Sequence, residues 1–131
     1  MNGDILTDLN FMNIMDYHLK QGAEITIATH QRDVLIDYGV LEYENNEITT
    51  FIEKPKLRYN VSMGVYCLNR SIIECLKPNM PYGFDDLMYE SIKNKLRIAA
   101  YPYSGHWLDI GRPDDYDRAN EEFEKYRNIF I

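Results

Sequence analysis

Segments with the two-residue period of strands alternate along this chain with segments of helical period, and that alternation restricts it to a layered α/β architecture. Phe11, Ile14, Met15 and Leu19 recur at helical spacing. Asp8 or Asn10 can cap the start of that helix, and Gly22 can close its end. Glu24 to His30, EITIATH, alternates as a strand does. YGVLEYENNEITTFIEKP holds two β-rich runs around Asn45 and Asn46, residues that tolerate the positive φ of a tight hairpin, and Pro55 stops the second run. VSMGVYCLN predicts a strand covered on both faces, followed by a short helix over Ser71 to Leu76 that Pro78 ends. Phe84, Leu87, Met88 and Ile92 mark a further helix, with Lys93 and Lys95 near its negative end. RIAAYPY is strand-like. A last helix has Pro113 at its first position, Asp114 and Asp115 in its first turn, and Tyr116, Ala119 and Phe123 as its apolar stripe. The expected sheet is mixed and flanked by helices.

Composition narrows the function classes. At 131 residues the chain fits one domain spanning 1–131. Fourteen basic residues against twenty-one acidic ones give a net charge of −7, which opposes binding to a nucleic-acid backbone. No apolar run is long enough to span a bilayer and no leader pattern is visible, so a cytoplasmic protein without membrane association is expected. Cys67 and Cys75 lack CxxC or zinc-finger spacing and read as two buried, reduced thiols. His18 falls on the apolar face of the first helix and reads as a satisfied core or boundary histidine, while His30 and His106 have no companion at metal spacing. Tyr101, Tyr103 and Trp107 read as core and rim packing.

Three stretches bear chemistry: NGD at residues 2 to 4, EKP at 53 to 55 and WLDIG at 107 to 111. Singly, each has an ordinary reading as a turn former, a solvated strand end or an approach to a helix cap. Jointly, NGDILTD, YGVLEYENNEITTFIEKP, VSMGVYCLN and WLDIGRPDDYDRAN resemble the sugar-1-phosphate nucleotidyltransferases, in their order and at about their spacing over nearly the whole chain. The wording of VSMGVY and WLDIGRPDDY leans toward the mannose-1-phosphate guanylyltransferase-like branch. These enzymes join a nucleoside triphosphate to a sugar 1-phosphate and release pyrophosphate.

The resemblance implies a Rossmann-like nucleotidyltransferase fold and a set of roles. Asp4 and Asp109 match the two aspartates that bind Mg²⁺, a hard cation suited to carboxylate oxygens. Lys54 matches the lysine that meets the sugar phosphate, and Glu53 the carboxylate that accepts from sugar hydroxyls. Gly39 matches the glycine whose bare backbone lets the sugar come close. Gly64 matches the glycine of the SMGVY segment; many relatives have Asn two residues before it, where this chain has Ser62, a weaker candidate for sugar binding.

One family element has no counterpart. The glycine-rich GGxGTRL loop that cradles the triphosphate lies upstream of NGD in the family, and no GGxG occurs among the seven isolated glycines here. The expected fold is therefore incomplete, lacking the N-terminal nucleotide-binding strands. The chain is expected to hold the sugar-phosphate half, to be inactive alone, to engage a nucleoside triphosphate only when the other half is supplied, and to self-associate through an exposed sheet edge or its last helix. An alternative is a non-catalytic binding or assembly module in which Asp4 and Asp109 cap turns.

Overall fold

The computed structural model describes residues 1–76 and 80–130. In chain order the elements are β1 (Ile5–Thr7), α1 (Phe11–Gln21), β2 (Ile25–Leu35), β3 (Gly39–Glu44), β4 (Glu47–Glu53), β5 (Lys56–Leu68), α2 (Arg70–Glu74), α3 (Phe84–Lys93), β6 (Ile98–Pro102), β7 (Trp107–Asp109) and α4 (Pro113–Phe130). The expected helix stop at Pro78 lies outside the described residues. Contacts divide the chain into two compact units, residues 1–30 with 62–131, and residues 31–61, so the boundary falls within β2 and β5.

The first unit is built on a sheet of order β5-β2-β6, in which β2 and β6 run parallel from Ile25↔Ile98 to Thr29↔Pro102. Side-chain alternation along its strands sorts two cores onto opposite faces. Ala28 of β2 and Met63, Val65 and Cys67 of β5 join Leu9 and Ile14 in one core. Ile25 and Ile27 join Ile72, Leu87 and Phe84 in the other. Helix α1 thus covers one face, and α2 with α3 covers the other. Fully burying a side chain such as Ile14 or Ile25 stabilises by about 1.5–3 kcal/mol relative to leaving it exposed.

Local chemistry explains α1. The Asn10 side chain accepts from Met12 N, and Gly22, at φ 55°, ends the helix in the left-handed conformation. The buried face differs from the expected stripe. Only Ile14 and His18 are buried, whereas Phe11, Met12, Met15 and Leu19 are 46–68% exposed. His18 earns its place in the core through its partners. Nδ1 shares a 2.7 Å hydrogen bond with the Thr26 hydroxyl, and Nε2 lies 3.1 Å from Asn69 Oδ1. The Asn69 amide donates to the Ala23 carbonyl, which orients its oxygen toward the ring.

Two further expectations need correction. Tyr116 is exposed; the inward face of α4 is set instead by buried Asp115, with Ala119 and Phe123 half-buried at the following turns. Cys75 is also exposed, because it sits at the C-terminal end of the short α2, while Cys67 is buried and its thiol is pushed up by that burial. Strands β1 and β7 are three residues each, too short for a periodic signal, and pair antiparallel as Ile5↔Asp109, Leu6↔Leu108 and Thr7↔Trp107. No described helix is long and apolar enough to cross a membrane.

The second unit contains the antiparallel β3–β4 hairpin, paired from Gly39↔Glu53 to Glu44↔Glu47 with a bulge at Glu42/Tyr43. Its two-residue turn places Asn45 at φ 49° and Asn46 at φ 67°, the left-handed pair expected of a hairpin that follows strand twist. Asp33 binds Arg58 and Lys56, each at 2.9 Å. Hydrogen bonds from Arg58 and Lys56 lower the Asp33 carboxyl from 3.8 to about 2. A depressed carboxylate stabilises the fold above its unfolded value, and the contribution is lost as pH falls through about 2. A carboxyl-detected NMR titration should show Asp33 titrating near 2, and Arg58→Ala should move it upward toward the ordinary carboxylate range.

Candidate functional site

Asp4 lies in the turn that leads into β1, and Asp109 is the last residue of β7. The β1–β7 ladder therefore brings together two carboxylates separated by nearly the whole sequence. The link continues beyond the ladder, since Ile110 N donates to the Asp4 carbonyl at 2.9 Å. A Cβ placed on Gly111 would sit 2.7 Å from Asp4 Oδ2 and 3.2 Å from Asp109 Oδ1, so both carboxylates converge on one spot that glycine leaves open. Gly111 N donates to Asp109 Oδ1 at 3.2 Å, and Arg112 N donates to the Asp109 carbonyl at 2.9 Å.

Asp115 supports this corner from beneath. Its Oδ2 accepts from Asp109 N at 3.4 Å from a position 2% exposed, in the first turn of α4, where the positive end of the helix dipole favours an acidic group. Trp107 fixes β7 from the other side. Its Nε1 donates to the Met63 carbonyl at 3.0 Å, and its ring lies 5.4 Å from that of His30. Tyr103 donates to Asp8, and burial followed by this carboxylate raises the phenol above its ordinary range.

Gly64 sits in β5 at φ 73°, and a Cβ there would be 2.9 Å from the Asn2 amide nitrogen. Asn2 N also donates to the Gly64 carbonyl at 2.8 Å. The glycine is thus required by the chain segment entering Asp4. Ser62 Oγ accepts from Gly64 N at 3.2 Å and donates to Tyr66 at 3.4 Å. Both positions lie in the same unit as the two aspartates.

Within the second unit, Gly39, Glu53 and Lys54 meet at one end of the hairpin. A Cβ on Gly39 would approach Phe51 Cε2 to 2.6 Å and Glu53 Oε2 to 3.3 Å, so the Glu53 carboxylate lies over the bare glycine. Lys54 follows at φ 44°, its N donating to the Tyr38 carbonyl at 3.2 Å. Its ammonium forms a 2.7 Å ion pair with Asp37, both side chains being largely exposed. Such a pair is weak enough to be exchanged for a ligand anion.

Oxygen donors from two carboxylates suit a hard cation, and a site of one or two carboxylates completed by water and phosphate oxygens is the usual way proteins hold Mg²⁺. The open space at Gly111 fits that group. Among the described residues no cluster of three or more His, Cys, Asp or Glu is placed to hold a metal, so the protein's share would be Asp4 and Asp109. Gly111, Asp115, Asn2 and Asp37 were not apparent as contributors from sequence. Only the glycine after WLDI and the acid two residues beyond Pro113 carried a usable signal. A cavity of about 540 Å³ between α2 and α3, lined by Ile72, Cys75, Leu76 and Leu87 among others, shares no residue with this corner.

Residues 1–126 match the Nucleotidyl transferase family. The chain belongs to this family. It is 32% identical over 136 residues to a Sulfolobus acidocaldarius protein provisionally described as a mannose-1-phosphate guanyltransferase, covering 98% of this chain and 36% of that one. It is 29% identical to the Schizosaccharomyces pombe mannose-1-phosphate guanyltransferase, over 88% of this chain and 33% of that enzyme. The crystal structure of HddC from Yersinia pseudotuberculosis superposes with a TM-score of 0.64 at 25% identity, covering 94% of this chain and 53% of HddC. HddC complexed with GMP-PN superposes at 0.61 with 22% identity, over 94% and 53% of the two chains. This nucleotidyl transferase chain thus spans about a third of the length of its curated relatives and about half of the solved ones. Its mixed α/β architecture is the Rossmann-like fold of those neighbours.

If the open spot is a cation site, Gly111→Ala should leave the melting temperature within a few degrees of the parent, because the atom it meets is a movable carboxylate end. Cation affinity should fall at least about tenfold, since ligand geometry is displaced. Isothermal calorimetry with Mg²⁺ beside a thermal melt measures both.

Proposed function

We propose that this chain is the sugar-phosphate-binding part of a sugar-1-phosphate nucleotidyltransferase, with mannose 1-phosphate and GTP as the first substrate pair to test. The convergence of Asp4 and Asp109 on Gly111, in a chain that belongs to the nucleotidyl transferases, carries the reading. The relatives' names favour the guanylyl branch.

In the proposed reaction an oxygen of the sugar 1-phosphate attacks the α-phosphorus of the triphosphate in line. A new P–O bond forms, the α–β bridge breaks, and pyrophosphate leaves with its electron pair. No side chain becomes bonded to substrate, so catalysis rests on position and charge. Asp4 and Asp109 would hold Mg²⁺, which when bound neutralises phosphate charge between the reactants. Lys54 gives up Asp37 for the sugar phosphate, to which a compact ammonium is suited as a point charge. Glu53 accepts from sugar hydroxyls beside Gly39, and the sugar comes close to that bare backbone once the exposed Phe51 ring that lies against it swings aside. Ser62 and Gly64 supply further polar contacts to the sugar.

This part alone is proposed to bind but not to turn over, because it contains no glycine-rich cradle for the triphosphate. Calorimetry with Mg²⁺ and a panel of sugar 1-phosphates tests the binding role. The expected result is saturable heat that Lys54→Ala weakens about tenfold or more, as loss of a charged hydrogen bond costs about 1.5–3 kcal/mol. Heat that is absent, or indifferent to Lys54 and Asp109, would return the chain to the class of non-catalytic assembly modules. Pyrophosphate release by the chain on its own would overturn the proposed division of labour.

A further inference from the structure

We propose that the Phe51 ring is a gate on the sugar position: in the free chain it fills the space over Gly39, and it leaves for a sugar ring but not for a phosphate alone; this rests on the function proposed above. The hairpin register makes the arrangement. Across the β3–β4 ladder Gly39 faces Glu53 and Leu41 faces Phe51. Directly opposed residues share a face of a sheet, as do residues two apart on one strand. Gly39, Leu41, Phe51 and Glu53 therefore lie on one face, with Phe51 diagonal to Gly39.

Diagonal neighbours on a sheet stand about 7–8 Å apart, within reach of an aromatic side chain. Phe51 uses that reach. A Cβ on Gly39 would meet Phe51 Cε2 at 2.6 Å and Cζ at 3.0 Å, so the outer edge of the ring fills the place where any other residue would carry a side chain. Glu53 Oε2 would lie 3.3 Å from the same Cβ. The ring thus sits beside the carboxylate proposed to receive sugar hydroxyls, and on the bare backbone proposed to admit the sugar. An aromatic ring laid over a strand glycine also restores packing that the glycine forgoes, which gives the seated position a stability of its own.

The cover is removable. Phe51 is 62% exposed, so turning about its first side-chain torsion to another staggered position gives up surface contacts and no core packing. Lys54 stands apart from it. The strand ends at Glu53, and Lys54 leaves it at φ 44° with its ammonium on Asp37 at 2.7 Å. The free site therefore holds a stand-in for each half of its ligand, the Asp37 carboxylate for the phosphate and the Phe51 ring for the sugar. A bare phosphate replaces the first and leaves the second seated.

The test is NMR on the full chain with two probes, mannose 1-phosphate and inorganic phosphate, both in the presence of Mg²⁺. A nuclear Overhauser contact between the Phe51 ring protons and the Gly39 α protons is expected in the free chain. Saturation with mannose 1-phosphate should remove it, and saturation with inorganic phosphate should leave it intact. Affinities follow from the shift of the Lys54 amide during each titration. Phe51→Ala should tighten mannose 1-phosphate about two- to fivefold, the range a cross-strand side-chain pair is worth, and should leave inorganic phosphate unchanged. The parent's own Overhauser contact keeps the test independent of how well that variant folds.

A contact that survives saturation with mannose 1-phosphate overturns the gate and leaves the sugar-phosphate site standing. So does a Phe51→Ala variant that binds mannose 1-phosphate no more tightly than the parent. Release of the ring by inorganic phosphate also overturns it, since Phe51 would then answer to Lys54 rather than to the sugar. Absence of saturable binding in both the parent and Phe51→Ala sinks the function proposed above, and the gate with it. Binding by Phe51→Ala where the parent shows none supports both.

Discussion

Asp109→Asn is expected to abolish measurable Mg²⁺ binding, weakening it by at least about 100-fold, because losing even a group that only orients a metal's ligands typically costs about 10–100-fold and this change removes a ligand charge. Asp4→Asn should behave alike, the two oxygens lying beside the same open spot. The substitution keeps size and leaves the Asp115 contact to Asp109 N in place, so the fold should persist. Without the cation, either variant should melt slightly higher than the parent, since two converging carboxylates repel one another. Strong activity-bearing sites often carry such a stability cost. Full-strength binding by either variant, measured by calorimetry, would remove the electrostatic basis of the proposed site.

The second large effect concerns Trp107. Replacing a core Trp by Ala costs about 3–5 kcal/mol, and a half-buried ring belongs at the lower end, about 3 kcal/mol. Against a total stability of about 5–15 kcal/mol for a typical domain, that is a large fraction. Trp107→Phe should lose chiefly the hydrogen bond to the Met63 carbonyl, about 1 kcal/mol. Chemical denaturation of the parent and both variants gives the comparison. Equal destabilisation by Phe and Ala would show that the indole N–H, rather than the packed ring, anchors β7. Since Asp109 lies two residues on, Trp107→Ala should also weaken cation binding, whereas a purely remote core residue would not.

Much of this was legible from residues alone, for identifiable reasons. The α1 boundaries were visible because Asn10 and Gly22 act through local chemistry, and the hairpin was visible because consecutive asparagines tolerate positive φ. Strands β1 and β7 were not, since a three-residue ladder is defined by its distant partner. On α1 the stripe was misjudged at Phe11, Met15 and Leu19, which are exposed, while His18 holds the core place expected of it through Thr26 and Asn69. On α4 a polar residue, Asp115, took an unexpected inward position through the Asp109 amide. In the second unit, Gly39 and Glu53 were expected near a sugar; the hairpin register shows that they are also each other's neighbours. Lys54 was expected to meet a sugar phosphate, and its ion pair with Asp37 carried no signal in the sequence.

The three-rung ladder between β1 and β7 joins positions a hundred or more residues apart. Closing so long a loop for so few bonds is entropically expensive, so this ribbon should assemble late and open early. A divalent ion gripping both strands would act as a removable staple on that weakest seam. At a concentration one hundred times its dissociation constant it would add about 2.7 kcal/mol, delivered where the chain is most ready to come apart.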